Sequence, residues 1–444
     1  KSKNFDYLYY RLFELYTIIL SNINGNVDIH TFSADIADQM KERCPRMQLS
    51  QAVMKLTEDV VRFRRELHKI PELGLEEFKT KEYLLKQLQS FGIKEIYPVL
   101  DTGLIAVFRS EKPGKTLAFR TDIDALPIKE ETNAPFASQH LGKMHACGHD
   151  GHMATLLGFA KYLSDYPEAV RGTIVLIFQP AEEGPGGAQL MIDEGILTDF
   201  AIDQIIGLHV FPDYPEGVIA CRKGPMMARN GEITIRVLGE SAHGAQPHQG
   251  SDAILAAAAV IQGLHAIVSR NISPLSSAVI TFGKIRGGDA ENIIPGEVVL
   301  NGTMRAFEDG VYETLTQRVK LAAEEIAKGY GCSAEVSFEH LYRVVDNDPD
   351  MVDAVRDVAG DSYIETPPYM LAEDFSMYQK EIPGVFFFVG TRDEEKGYTY
   401  PLHSSKMNFD EKVLLGGIEC YLRLIERLNQ SQVLREERSN DQRD

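Results

Sequence analysis

GTIVLIFQPAEEGPGGA, residues 172–188, is the stretch from which the fold can be read. Residues 172–179 form a continuous apolar run that ends in a Pro/Gly-rich turn, the pattern of a strand buried on both faces. A helical segment follows at 187–194. Upstream, the apolar run 116–121 leads into Asp122-Ile-Asp124, and 151–163 has helical character. Downstream, QIIGLHV at 204–210 reads as a further strand. Strand–loop–helix units repeated in this order predict an α/β fold, a sheet with helices on both sides.

A second rhythm occupies the middle of the chain. Strand 232–238, helix 252–269, strands 278–285 and 297–306, helix 312–328 and strand 334–339 succeed one another. The order βαββαβ is that of a ferredoxin-like α+β unit. Strand 385–389 and helix 411–428 resume the first pattern, so this unit is expected as an insertion. The expected segments are an unassigned N-terminal extension at 1–46, a catalytic domain at 47–228 and 342–429, the insert at 229–341, and a polar tail at 430–444. Within the extension, 7–20 reads as an amphipathic helix or a leader. Helical periodicity starts at Leu56, Val60, Val61, Phe63 and Leu67 and is stopped by Pro71.

The 444 residues carry a formal charge of −19, which repels phosphate backbones and argues against nucleic-acid partners. Apolar residues interrupted well short of about 18 in a row give no membrane span. Five scattered cysteines, an odd number, suggest free thiols and a reducing, cytoplasmic location.

Chemistry concentrates in a few places. In MHACGHDGH, 144–152, alternate side chains of an extended segment would bring His145, Cys147 and His149 to one side, and all are competent for zinc-like ions. Glu182 and Glu183 follow the 172–179 strand. Adjacent side chains on an extended piece diverge, so one carboxylate is expected to bind metal and the other to carry a proton. His209 ends another strand, His403 lies in a loop before the last helix, and Asp122 and Asp124 end a third strand. With so many strand ends converging, coincidence is the weaker explanation.

Together with ELHKIPELGLEEF (66–78), RTDIDALP (120–127), FQPAEEGPGGA (178–188), SAHGAQPHQGSDAI (241–254), ENIIPGEVVLNGTMRAF (291–307) and AEDF (372–375), these motifs resemble the dinuclear-metal amidohydrolases that include aminoacylases, hippurate hydrolases and indole-acetyl-amino-acid hydrolases. FQPAEEGPGGAQ and YPEG are most similar to N-acetyl-diaminopimelate deacetylases. The resemblance implies a metallopeptidase catalytic domain with an inserted lid and dimerisation domain, and two divalent ions per chain, whether Mn, Zn, Co or Ni. It implies Cys147 as a ligand bridging both ions, His149 and His209 on one, and Glu183 and His403 on the other. His145 and His152 are then non-ligands, Asp124 orients a ligand, and the role of Asp122 stays open. Glu182 is implied as general base, His243 as oxyanion stabiliser supplied by a partner subunit, and Asn292 and Arg305 as substrate binders, with Arg305 on the α-carboxylate. Glu373 and Asp374 are expected to line or brace the pocket. The implied reaction is hydrolysis of an N-acyl-L-amino acid by a homodimer, with N-acetyl-diaminopimelate foremost. Hippurate or indole-acetyl-amino-acid hydrolysis, a catalytically silent metal- or ligand-binding relative, and a redox sensor acting through Cys147 are the alternatives.

Overall fold

The computed structural model describes residues 46–440, so the expected helix or leader at 7–20 lies outside the described residues. They form two compact units. One holds the described residues up to Arg222 with Asp348–Pro367 and the chain from Ile382 onward; the other holds Lys223–Asn347 and Pro368–Glu381.

The first unit is built on an eight-stranded sheet in the spatial order Glu95–Val99, Gly103–Arg109, Thr173–Gln179, Thr116–Asp122, Gln204–Pro215, Gly384–Arg392, Ile219–Cys221 and Tyr363–Glu365. Its four central strands are parallel, and nearly every one of their residues is buried, as a sheet covered on both faces requires. The hairpin Glu95–Arg109 adds an antiparallel edge. Its outer strand, EIYPV, is half exposed and carries a proline, which is tolerated at an edge and hides the strand from an apolar-run reading. One sheet face packs under helices Thr57–His68, His149–Asp165 and Leu414–Asn440. Val60, Phe63, Leu156, Ile418 and Leu424 meet Leu117, Leu176, Leu208 and Phe387 in one core. Phe119 stands between Phe159 and Tyr421, with ring centroids 4.8 Å from each. The last helix runs on to Asn440, past the expected boundary at 429. Residues 430–440 contain neither glycine nor proline, so nothing local stops it.

The second unit contains a four-stranded antiparallel sheet in the order Ala278–Gly287, Glu297–Ala306, Arg229–Leu238, Ser333–His340. Helices Ala253–Asn271 and Asp309–Gly329 bury Val260, Leu264, Leu315 and Val319 against Ile233, Ile235, Val237 and Leu300. This is the ferredoxin-like arrangement. Asp252 starts the first helix by accepting the Ile254 and Leu255 N–H groups on Oδ1 at 2.9 and 3.0 Å, a cap whose loss costs about 1 kcal/mol. Among the described helices Ala253–Asn271 alone is long and apolar enough to cross a membrane; here its alanine and valine face covers the sheet. The unit is wider than 229–341. Gly224–Met227 pairs with Val345–Asn347, and the Tyr369 N–H donates to Met226 O at 2.9 Å and the Ala228 N–H to Leu371 O at 2.8 Å. Those backbone bonds place Glu373 and Asp374 in the second unit rather than in the 342–429 part of the catalytic domain.

Candidate metal centre

The parallel strands of the first unit deliver its chemistry to one end of the sheet. Asp122 pairs in register with Gln179, and Arg120 with Gly207, so His209 rises to the level of Asp122. After Gln179 the chain turns sharply: Ala181 has φ +58°, and a Cβ on Gly187 would lie 1.7 Å from Pro180 O. Glycine is obligatory there. The MHACGH segment is not extended. Gly148, at φ +93°, ends a turn and caps the helix that begins with His149. Cys147 and His149 therefore converge through a turn, and His145 does not join them: it is buried but lies outside both donor groups that share the sulfur. Nor do Glu182 and Glu183 diverge, because the turn at Ala181 brings both carboxylates within 4.8 Å of a His149 ring nitrogen.

Cys147 Sγ lies 3.4 Å from His209 Nε2 and 3.3 Å from His403 Nε2, and His403 Nε2 lies 3.2 Å from Glu183 Oε1. Two donor groups share the sulfur: Cys147 with His149 and His209, all buried, and Cys147 with Glu183 and His403. Ligands held ~2.0–2.3 Å from one tetrahedral ion stand roughly 3.3–3.8 Å apart, which matches these spacings. The buried Nε2 of His149 has no hydrogen-bond partner, although its Nδ1 is held by Asp124 O at 2.9 Å. A buried imidazole nitrogen aimed at a thiol and two carboxylates fits a cation.

The electrostatics agree. Burial pushes the Cys147 thiol well up, and the Glu183, Glu182 and Asp122 carboxylates push it further, so a thiolate here needs positive charge beside it. Burial opposes a charged His149, yet the Asp122 and Asp124 carboxylates raise it to about 10; that affinity for positive charge is one a cation at its ring nitrogen would satisfy by displacing the proton. Burial and the neighbouring His152 hold His209 well below the usual imidazole range, leaving it neutral as a ligand must be. Burial also works against a charged Glu183, but His403 and His149 pull it below the usual carboxylate range.

Surrounding bonds fix the donors. His209 Nδ1 donates to Val210 O at 2.6 Å, and the Val210 N–H donates to His152 Nε2 at 2.9 Å. His152 Nδ1 in turn donates to Asp122 Oδ1 at 2.7 Å. Both nitrogens of His152 are thus engaged away from the donor groups. Asp122 Oδ2 receives Arg120 at 2.9 Å; it braces the ring that braces the His209 strand. Asp124 Oδ2 accepts the Glu183 N–H at 2.9 Å. Behind His149, buried Asp150 holds Arg64 at 3.1 Å and His68 at 2.8 Å, and Arg64 also binds Phe409 O at 2.8 Å in the loop that follows His403. Sequence reading did not find the parts played by Arg64, His68, Arg120, Asp150 and His152. Their signal, charged residues inside apolar periodic segments, is visible at Arg64 and Arg120 alone.

In the second unit His243 pairs with Ile293 across a two-residue ladder, and the Gly244 N–H donates to Asn292 O at 2.7 Å. His243 and Asn292, far apart in sequence, become neighbours, and both are exposed. His243 Nδ1 accepts the Ala245 N–H at 3.0 Å, which leaves the ring proton on Nε2. Arg305, half-buried, donates through Nη1 to Met370 O at 2.8 Å. Glu373 is buried and its Oε1 accepts the Phe375 N–H at 3.0 Å.

Residues 118–427 match the model of peptidase family M20/M25/M40. The chain belongs to that family. It is 38% identical to the N-acetyldiaminopimelate deacetylase of a Geobacillus species over 82% of this chain and 96% of that one. It is also 38% identical to thermostable carboxypeptidase 2 of Saccharolobus solfataricus, over 83% and 94%. A Bacillus subtilis crystal structure, described as a dinuclear metal binding peptidase of the M20 family, superposes with TM-score 0.73 at 33% identity, covering 84% of this chain and 98% of that one. This member is a metal-dependent hydrolase of amide bonds, with donors for two divalent ions.

Proposed function

We propose that this chain releases amino acids from N-acyl-L-amino acids, as a deacetylase or aminoacylase, with N-acetyl-diaminopimelate the leading candidate. One observation carries the reading. Glu182 is buried with a carboxylate oxygen beside His149 and Glu183, while neither donor group sharing Cys147 includes it. A carboxylate in that place is suited to move a proton. Bound divalent ions, whether Mn, Zn, Co or Ni, would be held by Cys147, His149, Glu183, His209 and His403 and would supply positive charge that polarises the amide carbonyl and acidifies water. Glu182 takes the proton of the attacking water and returns it to the leaving amine. The Nε2–H of His243 is a donor for the charge that develops on the carbonyl oxygen. Arg305 offers the remainder of its guanidinium fork to an α-carboxylate. A deacetylase of an amino-acid derivative and a carboxypeptidase both release an amine that bears a carboxylate. The names of the two relatives therefore support the demand placed on Arg305.

His243 is read as acting in a homodimer formed through the inserted unit. Its edge strand Ala278–Gly287 is mostly exposed, with Ile285 and Ile293 apolar at the surface, and unpaired edges invite association. A reducing cytoplasm suits the free thiols Cys147, Cys221, Cys332 and Cys420. Enzyme reconstituted with each metal should hydrolyse N-acetyl amino acids in preference to N-benzoyl and indole-acetyl ones. Two bound ions with no hydrolysis of any of these substrates would instead identify a silent relative.

A further inference from the structure

The motif PELGLEE, residues 71–77, contributes no donor to the two metal groups that share Cys147, yet it presses against the loop that carries Glu182. Glu77 is fully buried, and its Oε1 accepts the Ala181 N–H at 2.9 Å. Ala181 is a non-glycine residue at φ +58°, a conformation that persists only where its surroundings over-determine it. Its carbonyl is held as well, by the Gly186 and Gly187 N–H groups at 3.0 and 2.9 Å. A Cβ on Gly74 would fall 2.4 Å from Gly184 O and 3.0 Å from Ala181 Cα, so the two backbones touch. On the far side of Glu182, the Glu183 N–H is taken by Asp124 Oδ2 at 2.9 Å. The same motif reaches that side too, because the Ala125 N–H donates to Glu72 O at 2.8 Å. The backbone of Glu182 is thus clamped between two buried carboxylates, one on each neighbouring amide.

We propose that Glu77 is a positioning residue for the Glu182 proton carrier, holding the left-handed turn at Ala181 that aims the Glu182 carboxylate. This rests on the reading of Glu182 as general base. What the turn needs from Glu77 is an acceptor oxygen at that distance. Burial, with the Asp124 charge adding to it, pushes the Glu77 carboxyl up to about 7, so a full negative charge is not favoured there and a neutral amide oxygen of the same reach should serve.

The test compares Glu77→Gln, Glu77→Asp and Glu77→Leu in the metal-loaded full chain with an N-acetyl amino acid. Turnover is measured together with metal content and hydrogen–deuterium exchange of the 181–187 amides. Glu77→Leu should lose kcat by about 30–100-fold at little changed KM, the effect of displacing a reacting group by about 1 Å. It should keep two ions and exchange the loop amides at least tenfold faster. Glu77→Gln should stay within about threefold of the parent, and Glu77→Asp, shorter by one methylene, should fall between. Should Glu77→Leu not fold, the order of the other two decides. Gln above Asp supports the acceptor role, and Asp equal to or above Gln overturns it. A folded Glu77→Leu with parental kcat and exchange overturns it as well. Glu182→Gln, assayed alongside, separates the two readings: retained turnover there removes the general base but leaves the exchange data to judge Glu77.

Discussion

The two units treat their candidate site residues in opposite ways. In the first, Cys147, His149, His209 and Glu182 are buried and each histidine is locked through its second nitrogen by a backbone carbonyl. In the second, His243 and Asn292 are brought together by a short ladder but left in solvent. A buried donor set is organised by its own unit before any ligand arrives, and its geometry is inherited from the sheet. An exposed histidine has weak electrostatic leverage until water is removed around it, and on the proposed reading of His243 a partner subunit would remove it. His403 lies between these extremes: its side chain is 51% exposed, it has φ +64°, and it is tied in by its N–H to Ala146 O at 2.9 Å.

The contrast is sharpest for the sulfur. Cys147→Ser replaces the one donor common to both metal groups and should lose both ions together, and with them essentially all turnover. Elemental analysis showing one ion fully retained would break the picture of a single pre-organised centre. Glu182→Gln should lower kcat by ~10²–10⁴ with both ions still bound, whereas Glu183→Gln should shed metal first; metal content and kinetics on the same samples distinguish them. If the Glu182 variant is the one that sheds metal, the two roles are exchanged.

For the exposed pair, His243→Ala should lower kcat by ~10²–10³, the usual worth of a donor to a developing oxyanion, with metal content and thermal stability unchanged. Because the inserted unit leaves this residue in solvent, mixing inactive His243→Ala and Glu182→Gln chains should restore part of the activity through hybrid dimers. No recovery after verified subunit exchange would mean that His243 serves its own chain or none. The smallest effect is expected at Arg305, where Arg305→Lys keeps the charge but loses the fork. KM should rise about tenfold, some 1.4 kcal/mol, with kcat little changed, and an unaltered KM would remove the α-carboxylate from this residue.

Much of this was legible in the sequence, for reasons that differ from residue to residue. Thr173–Gln179 announced itself because a strand buried on both faces must be apolar throughout, and the βαββαβ insert because each helix and strand kept its own period. The edge strand Glu95–Val99 did not, since a half-exposed strand with a proline has no such pattern. Cys147, His149, Glu182, Glu183, His209 and His403 could be singled out because few residue types bind metal and they stand at strand ends or in loops.

Chain order, element type and the chemical identity of the donors are therefore local properties, written in periodicity and side-chain chemistry. What only the tertiary structure decided is which of those groups meet and how. Extended-chain geometry suggested that His145 would face Cys147 and that Glu182 and Glu183 would point apart. The left-handed turns at Gly148 and Ala181 reversed both. His152 is no different from His149 in composition or spacing, yet Val210 and Asp122 occupy both of its nitrogens. Glu77 reads as one more acid in an acidic chain until its carboxyl oxygen is seen holding the Ala181 N–H. A hydrogen bond between residues separated by 104 positions, or a thiol meeting an imidazole 256 residues away, leaves no periodic trace, because the partners are chosen by the packing of the sheet and not by their neighbours in the chain.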